Sequence, residues 1–278
     1  MRFPGGLGKA LTLSYDDGVE QDIRLMEILD KHGIKATFNV NTGICPPENH
    51  VYPKGAVSRR IPLSKFKEVY GNTPHEIAVH TYSHPHLEAL PPVAAMNEVL
   101  KNREELENIF GRSIRGMAYP YGTYNDTVVE ILKNANILYS RTVEATKKFD
   151  IPSDWLRLPA TCHHCAKELM DLAEKFVSMQ VTGAPQMFYL WGHTYEFERD
   201  NNWHVIENFA EYIGGKDDIW YATNIEIFEY IEAYNRLCWS TDLSMVYNPS
   251  ATSVWVARPN HRESIPAVEI RPGETYRF

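Results

Sequence analysis

Short strand-like runs alternate with amphipathic helical runs along most of this chain, and that alternation constrains its fold more than any other feature. Ala10 to Tyr15 (ALTLSY) alternates apolar and polar residues and leads straight into Asp16-Asp17-Gly18. Ile23, Met26 and Leu29 then recur at helical spacing before Gly33, a residue suited to ending a helix. KATFNVN (35–41) and EIAVH (76–80) read as further strands, and a long helix is predicted from about Val93 to Phe110, stopped by Gly111. A short segment from Arg115 to Tyr121 precedes a helix capped by Asn125 or Asp126 and running to Asn134. ILYSRTVE, WLRLPAT, a helix at about 166–178, MFYLWG and a helix at about 205–213 continue the pattern. Such repetition predicts an α/β fold: a mostly parallel sheet covered by helices, open or closed as a barrel. After about Arg236 the pattern changes to LSMVYN, SVWVARP and AVEIRP, broken by Pro, Asn and Ser. The expected organisation is an α/β unit over residues 1–235 and a small C-terminal β appendage over 236–278, packed on it.

The 278 residues, 44% hydrophobic and 23% charged, suffice for a large core. A formal charge of −8 argues against nucleic acid or an anionic membrane as the main partner. No apolar run is long enough to predict a membrane span. Met1 to Gly6 lacks the apolar core and cleavage site of a signal peptide, which favours a cytoplasmic chain as the expectation. Four cysteines are too few for a disulfide scaffold, so reduced thiols are expected.

The chemically capable residues stand at strand ends. Asp16 and Asp17 follow the first strand, His80 and His84 the EIAVH strand, and His193 follows MFYLWG, while Tyr119-Pro120-Tyr121-Gly122 ends another. Active sites of parallel sheets form where the carboxyl ends of strands meet, so four strand ends converge on one mouth. Histidines four apart present both rings on one face of a helical turn, and Thr81 after the first excludes the HExxH protease pattern. A carboxylate from another strand end completes a two-His, one-Asp set and leaves a coordination position open for water. Of two adjacent carboxylates in extended backbone, one faces a metal and the other the substrate. Cys162-His163-His164-Cys165 has metal-like density, but no second pair stands nearby. These residues are expected to be packing and substrate-facing groups, with His163 or His164 contacting substrate. YEFERDNNWH (195–204) offers acidic and aromatic groups suited to sugar hydroxyls and ring faces, and the composition of an exposed loop explains it equally well.

SYDDG (14–18), HTYSHPHL (80–87), AYPYG (118–122) and a late His after an apolar strand resemble the NodB-homology polysaccharide deacetylases, carbohydrate esterase family 4. The resemblance runs from about residue 10 to 235 and implies a distorted (β/α) barrel that hydrolyses the N-acetyl group of an amino sugar in a carbohydrate substrate. It implies one divalent metal, zinc first among the candidates, held by Asp17, His80 and His84. It makes Asp16 the catalytic base and His193 the general acid, with the Tyr121 backbone N–H facing the oxyanion. Asp154 is expected to orient and charge His193, and Trp155, Leu190 and Trp191 to wall the pocket for the acetyl methyl. Members commonly carry Arg before the aromatic–proline element, where this chain has Ala118. Arg115, Arg141 and Arg157 are the substitutes within reach, and Arg141 is the one expected to pair with Asp16. Three functions fit: an N-acetyl sugar deacetylase, a hydrolase of a non-sugar amide or cyclic imide, and a non-catalytic carbohydrate-binding protein. Intact base, ligands and acid argue against the last.

Overall fold

The computed structural model describes residues 1–257 and 267–278. Strand β1 (Lys9–Asp16) is buried from end to end, because it pairs in parallel with three other strands. Helix α1 (Gln21–Lys31) follows it, and Gly33 takes φ 66° just beyond the helix, the left-handed geometry that glycine adopts without strain. Next come β2 (Ala36–Val40), the short α2 (Phe66–Tyr70), β3 (Glu76–Val79) and α3 (Pro92–Phe110), which opens on proline and ends on left-handed Gly111. Strand β4 (Gly116–Ala118) leads to α4 (Asp126–Asn134), where the Asn125 side chain accepts from the Val128 N–H. Then follow β5 (Tyr139–Ala145), β6 (Leu158–Ala160), β7 (Cys162–His163), α5 (Leu169–Ser178) and β8 (Gln186–Gly192). Helices α6 (Thr194–Arg199) and α7 (His204–Ile213), strand β9 (Ile219–Tyr221) and helix α8 (Asn224–Asn235) complete this part. The tail holds β10 (Cys238–Trp239), β11 (Met245–Tyr247), β12 (Val254–Val256), β13 (Val268–Ile270) and β14 (Thr275–Arg277). Arg258 and Pro259, at the end of the SVWVARP run, lie outside the described residues.

The main sheet runs β6-β5-β4-β3-β2-β1-β8-β7, all parallel, with β9 on the start of β1. Only Thr161 separates β6 from β7, so one segment pairs with β5 through β6 and with β8 through β7, closing the sheet on itself. The Thr161 N–H donates to Tyr189 O at 2.8 Å and the His164 N–H to Trp191 O at 2.9 Å across that seam. The result is a (β/α) barrel, distorted by three-residue strands and by a register shift between Arg141 and Ala145.

Alternation along each strand sets the two faces. Leu11, Leu13 and Tyr15 belong to the apolar layer with Leu25, Phe38, Phe188 and Phe209, between sheet and helices. Thr12, Ser14 and Asp16 take the other face, and so do Thr37 and Asn39 of β2. The barrel floor is a polar network closed by the start of α8. Thr12 Oγ1 donates to Asn224 Oδ1 at 2.7 Å, and Asn224 Nδ2 donates to Tyr189 Oη at 2.6 Å. Glu76 accepts from Thr37 Oγ1 at 2.8 Å, Tyr139 Oη at 2.6 Å and the Ile225 N–H at 2.9 Å.

Five elements of the barrel part were not expected: α2, β7, α6, β9 and α8. The YEFERDNNWH stretch is α6 and the start of α7 rather than an exposed loop, and Phe197 is wholly buried in it. The β-rich tail was expected and lies against the barrel. Phe3, Tyr230 and Ile231 share a second apolar cluster with Val246, Val254, Val256 and Ile270.

Candidate metal centre and active site

Asp17, His80 and His84 each offer a ligand atom, and all three atoms lie within 4.8 Å of one another. Their backbones are unusual. Asp17 (φ 86°), Thr81 (φ 65°), His84 (φ 61°) and Tyr121 (φ 58°) are half of the eight non-glycine residues with positive φ among those described. Left-handed backbone at such residues costs about 1–3 kcal/mol each and persists where surrounding bonds over-determine it. Here Asn41 Nδ2 donates to the carbonyls of His80 and Thr81, the His80 N–H donates to Asn102 Oδ1 at 3.0 Å, and the His84 N–H donates to Thr81 Oγ1 at 3.0 Å. Sequence reasoning named none of these supporting residues, because Asn41 and Asn102 carry no motif of their own.

The donor chemistry suits a divalent ion. His80 Nδ1 lies 2.8 Å from Ala118 O, so the ring proton sits there and Nε2 is left as the ligand atom. Burial lowers the pKa of His80, and burial with the neighbouring His80 lowers His84 to about 4, so both rings are unprotonated near neutrality. Asp17 Oδ1 lies 3.9 Å from His84 Nε2 and accepts from Arg60 Nη2 at 2.9 Å, while Arg60 Nη1 donates to Asp17 O at 2.6 Å. Arg60 is a residue the motif reading missed, lying in the long β2–α2 connection.

Asp16 occupies the centre. It is 3% exposed; its Oδ1 accepts from Asn39 Nδ2 at 2.9 Å, and Arg141 Nη2 donates to its Oδ2. His80 Nε2 and His193 Nε2 stand 3.9 and 3.8 Å from Oδ2. Burial alone would raise this carboxyl, but Arg141, then His80 and His193, outweigh it and hold it well below the usual carboxylate range. Arg141 is wholly buried, with its guanidinium 4.3 Å over the Trp191 ring. It stands beside Ala118 in the β4–β5 register, so the charge absent at position 118 reaches Asp16 from the next strand. Arg157 instead pairs with Asp154 and Asp126, and Arg115 bonds Asn136.

Around His193 the structure corrects the expectation. Asp154 is spent elsewhere: its carboxylate binds Arg157 Nη1 at 2.6 Å and accepts from the Leu156 N–H at 3.1 Å. The group beside His193 is Glu196, three residues on in α6, with Oε2 3.4 Å from His193 Nδ1. Burial opposes protonation of His193, but Glu196 and Asp16 outweigh it and raise its pKa.

The expected pocket residues divide by strand parity. Trp191 pairs with Ser14 in register and therefore shares the face of Asp16. Leu190 pairs with Leu13 and is wholly buried in the layer beneath the helices, so it is not a pocket wall. Trp155 packs edge-on against Phe228 of α8 at 5.3 Å, within the second apolar cluster. His164, expected to contact substrate, is 1% exposed and stacked 4.0 Å from Phe197. The Tyr121 ring stands 4.6 Å from that of His84 and stacks on His86 at 3.9 Å.

The barrel thus gathers a buried carboxylate, Asp16, an imidazole, His193, and a two-His, one-Asp group at one mouth. Over residues 5–140 the chain matches the model of the polysaccharide deacetylase family. It is 28% identical over 135 residues to a peptidoglycan-N-acetylglucosamine deacetylase of Bacillus cereus, a match covering 48% of this chain and 41% of that protein. The chain therefore spans less than half the length of that relative. Among solved structures, a family 4 carbohydrate esterase of Streptomyces lividans superposes with a TM-score of 0.50 at 15% identity, covering 77% of this chain and 92% of the other. PuuE allantoinase superposes with a TM-score of 0.57 at 13% identity, covering 82% and 91%. Both share the fold.

Proposed function

We propose that this protein is a metal-dependent hydrolase that removes the N-acetyl group from an amino sugar in an oligo- or polysaccharide. One observation carries the reading: Asp16 is held ionised by Arg141 between the Asp17–His80–His84 group and His193. A divalent ion on that group, zinc first, would polarise the amide carbonyl and lower the pKa of water. Asp16 takes the proton of the attacking water, which such an ion would make acidic enough for a carboxylate to accept. His193, biased towards its protonated form, gives a proton to the departing amine, without which the C–N bond would expel a poor leaving group. The Tyr121 backbone N–H is assigned to the oxyanion, and Trp191 to the pocket wall nearest Asp16. The match of residues 5–140 to the polysaccharide deacetylase family and the activity named for the Bacillus cereus relative support this assignment.

The test is acetate release from N-acetylglucosamine oligomers by protein stripped with chelator and reloaded with zinc. Acetate that appears only on reloading is the expected result. Metal-loaded protein that releases none, but turns over a cyclic imide, would move the assignment to a non-sugar amide. Retained sugar binding without any turnover would reduce it to a binding protein.

A further inference from the structure

We propose that His163, His164, Cys165 and Glu196 form a second metal site, for a zinc-type ion, beside the barrel mouth. Sequence spacing argued against it, since Cys162-His163-His164-Cys165 has no second ligand pair nearby in the chain. Topology supplies the missing ligand. The ends of β7 and β8 are neighbours in the closed sheet, so α6, which starts directly after β8, carries Glu196 onto the two histidines. Glu196 Oε2 lies 3.1 Å from His163 Nε2 and 3.3 Å from His164 Nε2. With Cys165, the four ligand atoms all fall within 4.8 Å of one another. A tetrahedral zinc site places its ligand atoms about 3.3–3.8 Å apart, so small side-chain rotations complete it.

A separate observation points to a ligand. His164 is 1% exposed, yet neither of its ring nitrogens has a hydrogen-bond partner. A buried imidazole that makes no hydrogen bond, even with a carboxylate oxygen 3.3 Å from its Nε2, is rare, and an ion at that nitrogen resolves it. The ring is held in place by Tyr15 and Phe197, stacked at 5.7 and 4.0 Å. A cleft lined by His164, Cys165, Asp200, Asn202 and His204 gives an ion its way in. Burial, then Glu196 and Asp200, push the Cys165 thiol up to about 11, and the same carboxylates attract a cation. Thiolate and imidazole together select zinc or cobalt over magnesium and calcium. Ligation at His163 Nε2 puts that ring's proton on Nδ1 and frees the exposed Cys165 N–H, which now donates to Nδ1 at 3.1 Å.

The site uses none of Asp17, His80 and His84 and does not rest on the deacetylase assignment, but it shares Glu196 with His193, whose Nδ1 lies 3.4 Å from the same carboxylate oxygen. The experiment uses the full chain, stripped and then titrated with cobalt(II) alone. Cobalt bound by Cys165 produces a thiolate-to-metal absorption band in the near ultraviolet, which Cys165→Ser abolishes while keeping the native circular dichroism. Elemental analysis after zinc loading gives one more zinc per chain in the wild type than in Cys165→Ser. The double variant Asp17→Asn/His84→Ala keeps the band. Absence of the band, or equal zinc content in wild type and Cys165→Ser, would overturn the proposal.

Discussion

Asp16 is a buried carboxylate whose permanently charged partner is the guanidinium of Arg141, itself wholly buried. Removing one partner of such a pair strands the other. Arg141→Met is therefore expected to cost about 3–5 kcal/mol, read from urea unfolding of the chelated protein. Adding Asp16→Asn should recover part of that loss, because the stranded charge goes with it; a double variant no more stable than Arg141→Met would contradict the account. Alone, Asp16→Asn is expected to lower turnover by about two to four orders of magnitude with metal content unchanged. If it instead empties the metal site, the parts given to Asp16 and Asp17 must be exchanged. Arg141 was legible in the sequence because it lies on a strand next to the one carrying Ala118. Arg60 was not, because nothing local says that the β2–α2 connection folds back onto Asp17. Glu196 went unseen for a related reason: a charged residue in a run read as loop gives no sign of pointing at three histidines.

At the scale of elements, the start of α8 plugs the barrel floor and meets Glu76. Burial, working against hydrogen bonds from Tyr139, Ile225 and Thr37, pushes the Glu76 carboxyl up to about 7 from an ordinary 4.5. Between those values the folded protein holds a proton that the unfolded chain releases, so this group's stabilisation is full below pH 4.5 and is lost as pH rises to about 7. The loss amounts to roughly 3 kcal/mol at most. Asp22, also raised to about 7 by burial, acts with the same sign. The lowered histidines His80, His84 and His164 act oppositely below pH 6.5, so only the difference between wild type and Glu76→Gln isolates the floor. Urea midpoints at pH 5 and pH 8 should fall less with rising pH in Glu76→Gln than in wild type. An unchanged slope would mean that the hydrogen bonds from the Ile225 N–H, Thr37 and Tyr139 keep Glu76 ionised throughout. The α8 helix itself was legible in principle. Thr223 and Glu226 form a capping box, Thr223 Oγ1 accepting from the Glu226 N–H and the Thr223 N–H donating to Glu226. Its apolar residues, spread around the helix instead of along one stripe, hid the period.

For the molecule as a whole, the alternating strands and helices were enough to expect a parallel sheet covered by helices, because parallel strands need crossovers and the crossovers are the helices. That the sheet closes as a barrel was expected from the resemblance alone. Nothing local predicted where its lower end would be sealed. That seal joins the two ends of the chain. The Arg2 N–H donates to Trp255 O at 2.9 Å, Tyr230 Oη donates to Arg2 O at 2.5 Å, and the Trp255 N–H donates back to Tyr230 Oη at 2.9 Å. Val246, Val254, Val256 and Ile270 of the tail are each at most 1% exposed, against Phe3, Tyr230 and Ile231. At about 1.5–3 kcal/mol for each buried aliphatic side chain, those four contribute roughly 6–12 kcal/mol, as much as a typical domain's whole margin of about 5–15 kcal/mol. We therefore treat the tail as part of the barrel's folding unit rather than as an appendage that can be removed. The full chain is expected to melt in one transition, and a chain ending at residue 236 to show lost near-ultraviolet dichroism and aggregation. A shortened chain with an unchanged melting temperature would make the tail a separate unit and leave the barrel floor to α8 alone.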